Sequence, residues 1–257
     1  MKIGCHCVMF AGKLATDTEE VIDQISTTGF QGVECGARFL SLDNREKLLN
    51  ALKKNNLELA AIHFAGKWKE EPEETLKAVV KEAEFIAKNP NPNITFSYMP
   101  EEDDDAVAMA KLFNKAALEC KALGASLKYH NHAGEFANGG KFYHALVEYA
   151  PDLNFGFDLG WVRRGGFDPI AVLKETAGRC TYVHLRDPDD GPDNMEINGR
   201  KFYRFPDLGY GLTDLKGQLA FLKDYLPENG WVIVEYEGGE PDVQRYVRAK
   251  QVIDSLM

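Results

Sequence analysis

Hydrophobic and polar positions follow two alternating periods along this chain. Eight short apolar runs, typical of buried strands, are separated by longer stretches in which apolar residues recur every three or four positions. The first of these stretches, DTEEVIDQISTTG, begins with an aspartate able to cap a helix, carries Val21, Ile22 and Ile25 on one face, and ends at Gly29. The pattern predicts eight strands that alternate with eight helices.

The predicted elements are regularly spaced. Strands are expected at 2–10, 30–36, 57–64, 93–99, 126–132, 154–160, 180–187 and 231–238. Helices are expected at 17–29, 43–56, 71–89, 102–124, 139–150, 168–177, 213–226 and 241–256. In the longer helices, acidic residues gather in the first turn and lysines in the last, which suits the helix dipole.

This alternation favours one fold. Strands joined by a helix are parallel, because the helix carries the chain back across the sheet. Eight such units close naturally into a barrel, and 257 residues is a usual length for one. An open doubly wound sheet is the rival, but no dinucleotide-binding glycine motif follows the first strand. We predict an α/β fold, a single (β/α)8 TIM barrel domain over residues 1–257.

Composition narrows the class of protein. The chain is 44% hydrophobic and 27% charged, and it has no apolar stretch of membrane-spanning length. A net charge of −10 disfavours nucleic acid as a partner. The five cysteines are an odd number without disulfide spacing, which favours reduced thiols. We expect a cytoplasmic protein without membrane or nucleic-acid partners, and the sequence is compatible with a homo-oligomer.

One irregular stretch stands out, at 188–212. It follows the seventh predicted strand and is longer than most loops in compact domains. Such a loop would lie at the mouth of the barrel, where it is able to fold over a ligand.

Polar residues gather at the predicted strand ends. In a parallel barrel the active site lies at the C-terminal ends of the strands. The acids and histidines at these ends are Glu34, His63, His130, His132, Asp158, His184, Glu235 and Glu237. Because side chains alternate along a strand, His130 and His132 share one face, as do Glu235 and Glu237.

Three of these residues suggest a metal site. Asp158, His184 and Glu235 come from neighbouring strands, and with one more ligand they describe a mixed nitrogen and oxygen site for Mn²⁺, Co²⁺, Zn²⁺ or Mg²⁺. Such an ion polarises a carbonyl and lowers the barrier to removal of the proton alpha to it. At any single position a hydrogen bond to a loop is the commoner explanation, but the three together favour function.

The motifs YHNHAGEF, FDLGWVRRGGFDP, YVHLRD, DLGYGLTDL and VIVEYEGGEPD follow one another in this order. The set resembles the sugar phosphate isomerase/epimerase family of the xylose isomerase-like TIM barrel superfamily, and the similarity covers essentially the whole chain. It implies a small carbohydrate substrate and a divalent metal at the barrel mouth. The metal ligands that it implies are His130, Asp158, His184 and Glu235.

The fifth strand departs from the family pattern. Ketose epimerases carry a glutamate ligand at this strand, and the matching residue here is His130 of YHNH, with His132 and Glu135 as alternatives. A second departure follows the sixth strand, where Trp161 replaces a histidine of the epimerases and of endonuclease IV. An indole does not ligate metal but is able to stack on a sugar.

The resemblance also implies roles outside the metal site. His63 matches a rim histidine that contacts substrate or transfers protons, and Glu34 stands in a comparable position. Arg186 is a further substrate-binding candidate, and with Asp187 it is also a candidate to orient His184, since ligating imidazoles usually donate their other N–H group to an acceptor.

The leading hypothesis is a metal-dependent isomerase, epimerase or related lyase. It would act on a keto-sugar, an inosose or a similar polyol, with His130, His132 or Glu235 as the catalytic base that takes the proton alpha to the metal-bound carbonyl. The alternative is a catalytically degenerate barrel that binds sugar without turnover. An endonuclease IV-like nuclease is a third hypothesis, which the acidic charge and the missing histidine disfavour.

Overall fold

The structure is a computed structural model that describes residues 1–190, 195–197, 200–202, 205–237 and 240–257. Its strands are Lys2–His6 (β1), Gly32–Gly36 (β2), Glu58–Phe64 (β3), Asn93–Ser97 (β4), Ser126–His130 (β5), Asn154–Asp158 (β6), Cys180–Leu185 (β7), Met195–Ile197 (β8), Arg200–Phe202 (β9) and Trp231–Val234 (β10). Its α-helices are Ala11–Thr16 (α1), Thr18–Ser26 (α2), Leu42–Lys54 (α3), Pro72–Ile86 (α4), Ala106–Ala122 (α5), Ala137–Tyr149 (α6), Leu159–Arg164 (α7), Pro169–Glu175 (α8), Leu215–Tyr225 (α9) and Val243–Leu256 (α10).

Eight of the strands form a closed parallel barrel. Their hydrogen-bonding order is β1-β10-β7-β6-β5-β4-β3-β2 and returns to β1. The remaining two, β8 and β9, pair with each other as a small antiparallel sheet inside the predicted long loop. The barrel confirms the predicted (β/α)8 fold. Gly238, predicted as the end of the last strand, and several residues of 188–212 lie outside the described residues.

The chain divides into two compact units, Met1–Leu59 with His184–Met257 (unit 1) and Ala60–Val183 (unit 2). In unit 1, β1 pairs with β10 on one side and with β2 on the other, so that His6 stands beside Glu34. The strands carry buried apolar residues on both faces, as parallel strands covered by helices do. The assignment of the whole chain to one domain stays a prediction.

In unit 2, β3, β4, β5 and β6 pair in sequence order. This register places His130 beside Ser97 at the ends of β5 and β4. Behind these strands the rings of Trp68, Phe96 and Phe113 pack at centroid distances of 5.0–5.2 Å. Edge-to-face aromatic contacts of this kind stabilise a core beyond their buried area.

Six barrel strands end earlier than predicted, and two of them, β1 and β6, end at a residue that caps the next turn. β1 stops at His6, whose Nδ1 accepts the N–H of Val8 and starts a short 3₁₀ turn. β6 stops at Asp158, whose Oδ1 accepts the N–H of Trp161 and starts α7. Neither α1 nor α7 was predicted, because both are short and follow directly on apolar strand residues.

Helix starts also follow local capping. The predicted helix 102–124 begins only at Ala106, because Asp105 accepts the N–H groups of Val107 and Ala108. In α6 the residues 138–140 adopt left-handed backbone angles, so regular helix follows Gly140. Within the described residues, the helices are too short or too polar to cross a membrane.

Candidate active site

His184 is the centre of a buried polar group in unit 1. It lies near the end of β7, and neither its side chain nor that of Glu34 on β2 is exposed to solvent. Nε2 of His184 lies 2.7 Å from Oε2 of Glu34, and Nδ1 lies 2.6 Å from Oε2 of Glu235, which directly follows β10. Each nitrogen of the imidazole therefore faces a carboxylate.

These neighbours set the charge of the group. Burial opposes protonation of His184, but the charges of Glu34 and Glu235 outweigh it and raise the pKa of His184 to about 10. Burial likewise acts to raise the pKa of Glu235, but Arg186, His6 and His184 hold the pKa of that carboxyl well below its usual range. Without a bound cation, His184 is an imidazolium and Glu235 a carboxylate at neutral pH.

Arg186 pairs with the far side of Glu235. Its Nη2 lies 2.7 Å from Oε1 of Glu235 and donates to Oε1 of Glu237 at 2.8 Å. The guanidinium, buried in the described structure, lies 4.7 Å from the ring centre of Phe205. These contacts orient the two glutamates. The orienting role of Arg186 toward His184 and its binding of substrate both stay predictions.

Asp187 forms hydrogen bonds with the loop that follows β7. Its Oδ2 accepts the N–H groups of Gly209 and Gly211, and its Oδ1 accepts that of Thr213, each at 2.9 Å. A Cβ atom at Gly211 would overlap the carbonyl oxygen and carboxylate of Asp187, so the close approach requires glycine. The orienting role of Asp187 toward His184 stays a prediction.

In unit 2, His130 ends β5 and Asp158 ends β6. Asn131 links the two strand ends, since its Oδ1 accepts the N–H of Asp158 at 2.9 Å and its Nδ2 donates to the carbonyl of Asp158 at 3.3 Å. No role was predicted for Asn131. Asn131 directly follows β5, and its partners are backbone atoms, so the motif YHNH carried no signal for this role.

Four rings follow one another in unit 2. The ring centroids of His63 and His130 lie 5.7 Å apart, those of His130 and His132 5.3 Å, and those of His132 and Trp161 5.5 Å. His63 and His132 are half-buried, whereas Trp161 is 2% exposed. Trp161 therefore packs beside His132, and its predicted stacking on a sugar stays a prediction.

His63 also contacts two hydroxyl groups. Its Nδ1 lies 3.1 Å from Oγ1 of Thr95, and its Nε2 lies 3.2 Å from Oγ of Ser97. These contacts orient the ring. The predicted contact of His63 with substrate stays a prediction.

Glu135, an alternative ligand at the fifth strand, is turned toward the outer face of β5. Its Oε1 accepts the hydroxyl of Tyr129 at 2.9 Å, and its Oε2 accepts the N–H of His132 at 3.0 Å. Burial raises the pKa of Glu135 to about 8, against the lowering effect of these hydrogen bonds. Glu135 thus holds the turn that carries His132.

Four buried side chains are able to hold a metal ion together. Each offers one ligand atom, and these atoms lie within 4.8 Å of one another; the residues are His130, Asp158, His184 and Glu235. Two imidazoles and two carboxylates suit Mn²⁺, Co²⁺ or Zn²⁺ better than Mg²⁺, which prefers oxygen. With both imidazoles neutral, the two carboxylates balance the charge of a divalent cation. The donor set therefore fits the predicted metal.

Residues 22–256 match the model of the xylose isomerase-like TIM barrel family. The chain belongs to this family. The match covers most of the chain and confirms the resemblance read from the motifs.

The curated relatives include inosose dehydratases. The protein of that name from Geobacillus kaustophilus is 31% identical over 169 residues, which cover 60% of this chain and 54% of the relative. The inosose dehydratase of Clostridium tetani is 26% identical over 248 residues, 85% of this chain and 82% of the relative. These relatives, together with the family match, confirm the prediction of an enzyme.

Solved structures share the fold. A sugar phosphate isomerase/epimerase from Parabacteroides distasonis superposes with a TM-score of 0.76 at 16% identity, over 97% of this chain and 92% of that chain. A probable 3-DHS dehydratase from Bacillus anthracis has a TM-score of 0.77 at 13% identity, over 99% of both chains. A family member from Mycobacterium smegmatis, solved in complex with magnesium, has a TM-score of 0.74 at 12% identity, over 99% and 96%.

Proposed function

We propose that this protein is a divalent-metal-dependent, sugar-modifying enzyme that removes the proton alpha to the carbonyl of a keto-polyol such as an inosose. The observation that carries the proposal is the buried set His130, Asp158, His184 and Glu235, with its two imidazoles and two carboxylates. The names of the curated relatives favour dehydration as the outcome. The cation is expected to be Mn²⁺, Co²⁺ or Zn²⁺.

A bound divalent cation would polarise the substrate carbonyl and make the neighbouring carbon acidic. The chain's own contribution begins with placement of the ligands. Glu235 is fixed by Arg186 and His184, and Asp158 is fixed through Asn131 and the N–H of Trp161. Side chains held in this way need little rearrangement when a cation and substrate arrive.

His132 is the base that these contacts favour. His130 and Glu235 belong to the ligand set, whereas His132 is half-buried, lies outside that set, and is held through its backbone by Glu135. In a dehydration, His132 would take the proton from the alpha carbon. The released electron pair forms the carbon–carbon double bond, and the beta hydroxyl leaves as water with the proton that His132 returns to it.

The test combines metal analysis with product analysis. Purified protein is loaded with Mn²⁺ or Co²⁺, dialysed, and assayed for stoichiometric metal, for deuterium uptake by inososes in D₂O, and for formation of an unsaturated product. We expect one cation per chain, together with deuterium uptake and loss of water. His144, an exposed histidine on α6, offers a matched control, because His144→Ala should leave metal content and activity unchanged.

The result distinguishes the remaining hypotheses. Deuterium uptake without loss of water would indicate an epimerase or isomerase. A protein that holds no stoichiometric cation, and catalyses neither exchange nor dehydration of any tested keto-sugar, would contradict the proposal and favour a sugar-binding barrel. Salt-dependent binding to DNA, measured alongside, would favour a nuclease.

A further inference from the structure

The ring nitrogen of His184 that does not face Glu235 has a dedicated partner. Nε2 of His184 lies 2.7 Å from Oε2 of Glu34, and both side chains are 0% exposed. From the sequence, Glu34 is predicted to bind substrate. A carboxylate buried against an imidazole is instead typical of a group that orients another side chain.

Glu34 is itself held by a second imidazole. His6 stands beside Glu34 in the register of β1 and β2, and its Nε2 lies 3.5 Å from Oε1 of Glu34. Because Nδ1 of His6 accepts the N–H of Val8 at 2.9 Å, the proton of a neutral His6 ring is on Nε2, toward Glu34. The backbone of His6 is fixed in turn by the hydroxyl of Tyr246, which donates to the His6 carbonyl.

The other nitrogen, Nδ1, is the one near Glu235. Nδ1 of His184 and Oε2 of Glu235 lie 2.6 Å apart, close to the separation of about 3 Å expected for two atoms that each ligate one cation at about 2.1 Å. A ring that donates Nε2–H to Glu34 directs the lone pair of Nδ1 toward that position. The two contacts of His184 therefore have different functions.

We infer that Glu34 is a positioning residue, which accepts Nε2–H of His184 and thereby presents Nδ1 to the cation, while His6 orients Glu34. This inference rests on the proposed metal site. It deepens that proposal by assigning the selection of the ligating nitrogen to a residue outside the ligand set. Glu34 contacts neither substrate nor cation in this role.

The experiment compares cation binding in Glu34→Gln, Glu34→Asp and the control Glu58→Gln with that of the wild-type protein. Glu58 is a partly exposed glutamate at the start of β3 that pairs with Lys2. Affinity is measured by Co²⁺ titration, and the ligand field by the visible absorption of the bound Co²⁺. Loss of such an orienting partner typically weakens metal binding about ten- to one-hundredfold.

We expect Glu34→Gln to bind Co²⁺ about ten- to one-hundredfold more weakly than the wild type and with an altered absorption spectrum. Glu34→Asp should recover part of the affinity. Glu58→Gln should match the wild type in both affinity and spectrum. NMR of ¹⁵N-labelled histidine in the Zn²⁺-loaded protein adds a second readout, because a ring that binds the cation through Nδ1 keeps its proton on Nε2. In the wild-type protein the His184 Nε2 proton should be present and shifted downfield by Glu34, and the shift should be lost in Glu34→Gln.

Wild-type affinity and an unchanged spectrum in Glu34→Gln would overturn the inference and leave the proposed function intact. A wild-type protein that binds no Co²⁺ would contradict the proposed site itself. Should Glu34→Gln not fold, Glu34→Asp and the wild-type NMR signal decide, since a His184 ring without a proton on Nε2 contradicts the assigned orientation.

Discussion

In unit 1, His184 meets a carboxylate at each ring nitrogen and is completely buried, whereas in unit 2 His132 is half-buried and its described ring neighbours are His130 and Trp161. The surroundings of His184 are charged, buried and fixed by ion pairs. The surroundings of His132 are aromatic and partly exposed. Under the proposed function, unit 1 would supply fixed charge and two ligands, and unit 2 would supply two further ligands together with the half-buried ring of His132 as the base.

The largest expected effect follows from His184→Ala. The substitution removes a ligand and leaves Glu34 and Glu235 buried without their shared imidazole, so stoichiometric metal should be lost. Because a bound cation contributes several kcal/mol to the transition state, activity should fall about a thousandfold or more. Elemental analysis and the dehydration assay check this outcome. An active, metal-replete His184→Ala protein would falsify the assigned ligand set.

His132→Gln should separate the two regions. Here the metal content should equal that of the wild type, because the ligand set is untouched, while kcat should fall about a hundredfold or more through loss of the base. Deuterium uptake by the substrate should fall in parallel. If His132→Gln lost its metal instead, His132 would be a metal ligand. That outcome would contradict its assignment as the base.

Arg186→Gln tests the buried ion pair of Arg186 and Glu235 in unit 1 through the free energy of unfolding. Removal of one partner from a buried ion pair costs about 3 kcal/mol or more of the free energy of unfolding, because the buried Glu235 keeps its charge and loses the guanidinium that pairs with its Oε1. Urea unfolding of metal-stripped protein measures the loss. The exposed pair of Arg248 with Asp207 is the control, and Arg248→Gln should cost less than about 1 kcal/mol. Equal losses of the free energy of unfolding in the two variants would show that the buried pair stabilises the fold no more than the exposed one.

The pH dependence of stability should differ between the regions. Glu135 has its folded pKa raised to about 8, so the folded state binds the extra proton and stability falls as pH rises between about 4.5 and 8. The charged His184, with a folded pKa of about 10, contributes stability that is fully present below about 6.5 and is lost as pH rises toward 10.

Glu135→Gln isolates the first of these windows. In metal-stripped protein it should remove a decline on the order of 2 kcal/mol between pH 6 and pH 8 and leave the decline above pH 8 in place. Urea unfolding at pH 6, 8 and 9.5 measures both windows. An unchanged slope between pH 6 and 8 in Glu135→Gln would show that the buried carboxyl is ionised throughout.

The period of the apolar residues was enough to predict the barrel, because each helix carries a buried face that its sequence shows directly. Val21, Ile22 and Ile25 of α2 are all buried as expected. Asp158 and His184 were predicted to lie close together because active residues of parallel barrels lie at the strand ends. In the structure both belong to one group of possible metal ligands. That these residues bind metal stays a prediction.

Other parts of the site were beyond the sequence for physical reasons. Asn131 acts through hydrogen bonds to the backbone of residue 158, and such contacts leave no pattern in side-chain type. The contact of Glu34 with His184 was not predicted, because a strand-end carboxylate looks alike in sequence whether it faces a ligand or an imidazole. The contacts of Asp187 were not predicted either, since its partners are three backbone amides of a distant turn.

The pairing of Asp187 with Gly211 limits how this enzyme is best redesigned. Loop exchange between homologues is a common route to new specificity, and the stretch after β7 is an obvious choice for it. A donor loop with any side chain at position 211 would collide with Asp187, and a host without this aspartate would leave three amides of the graft unsatisfied. Both positions should therefore be transplanted as one cassette.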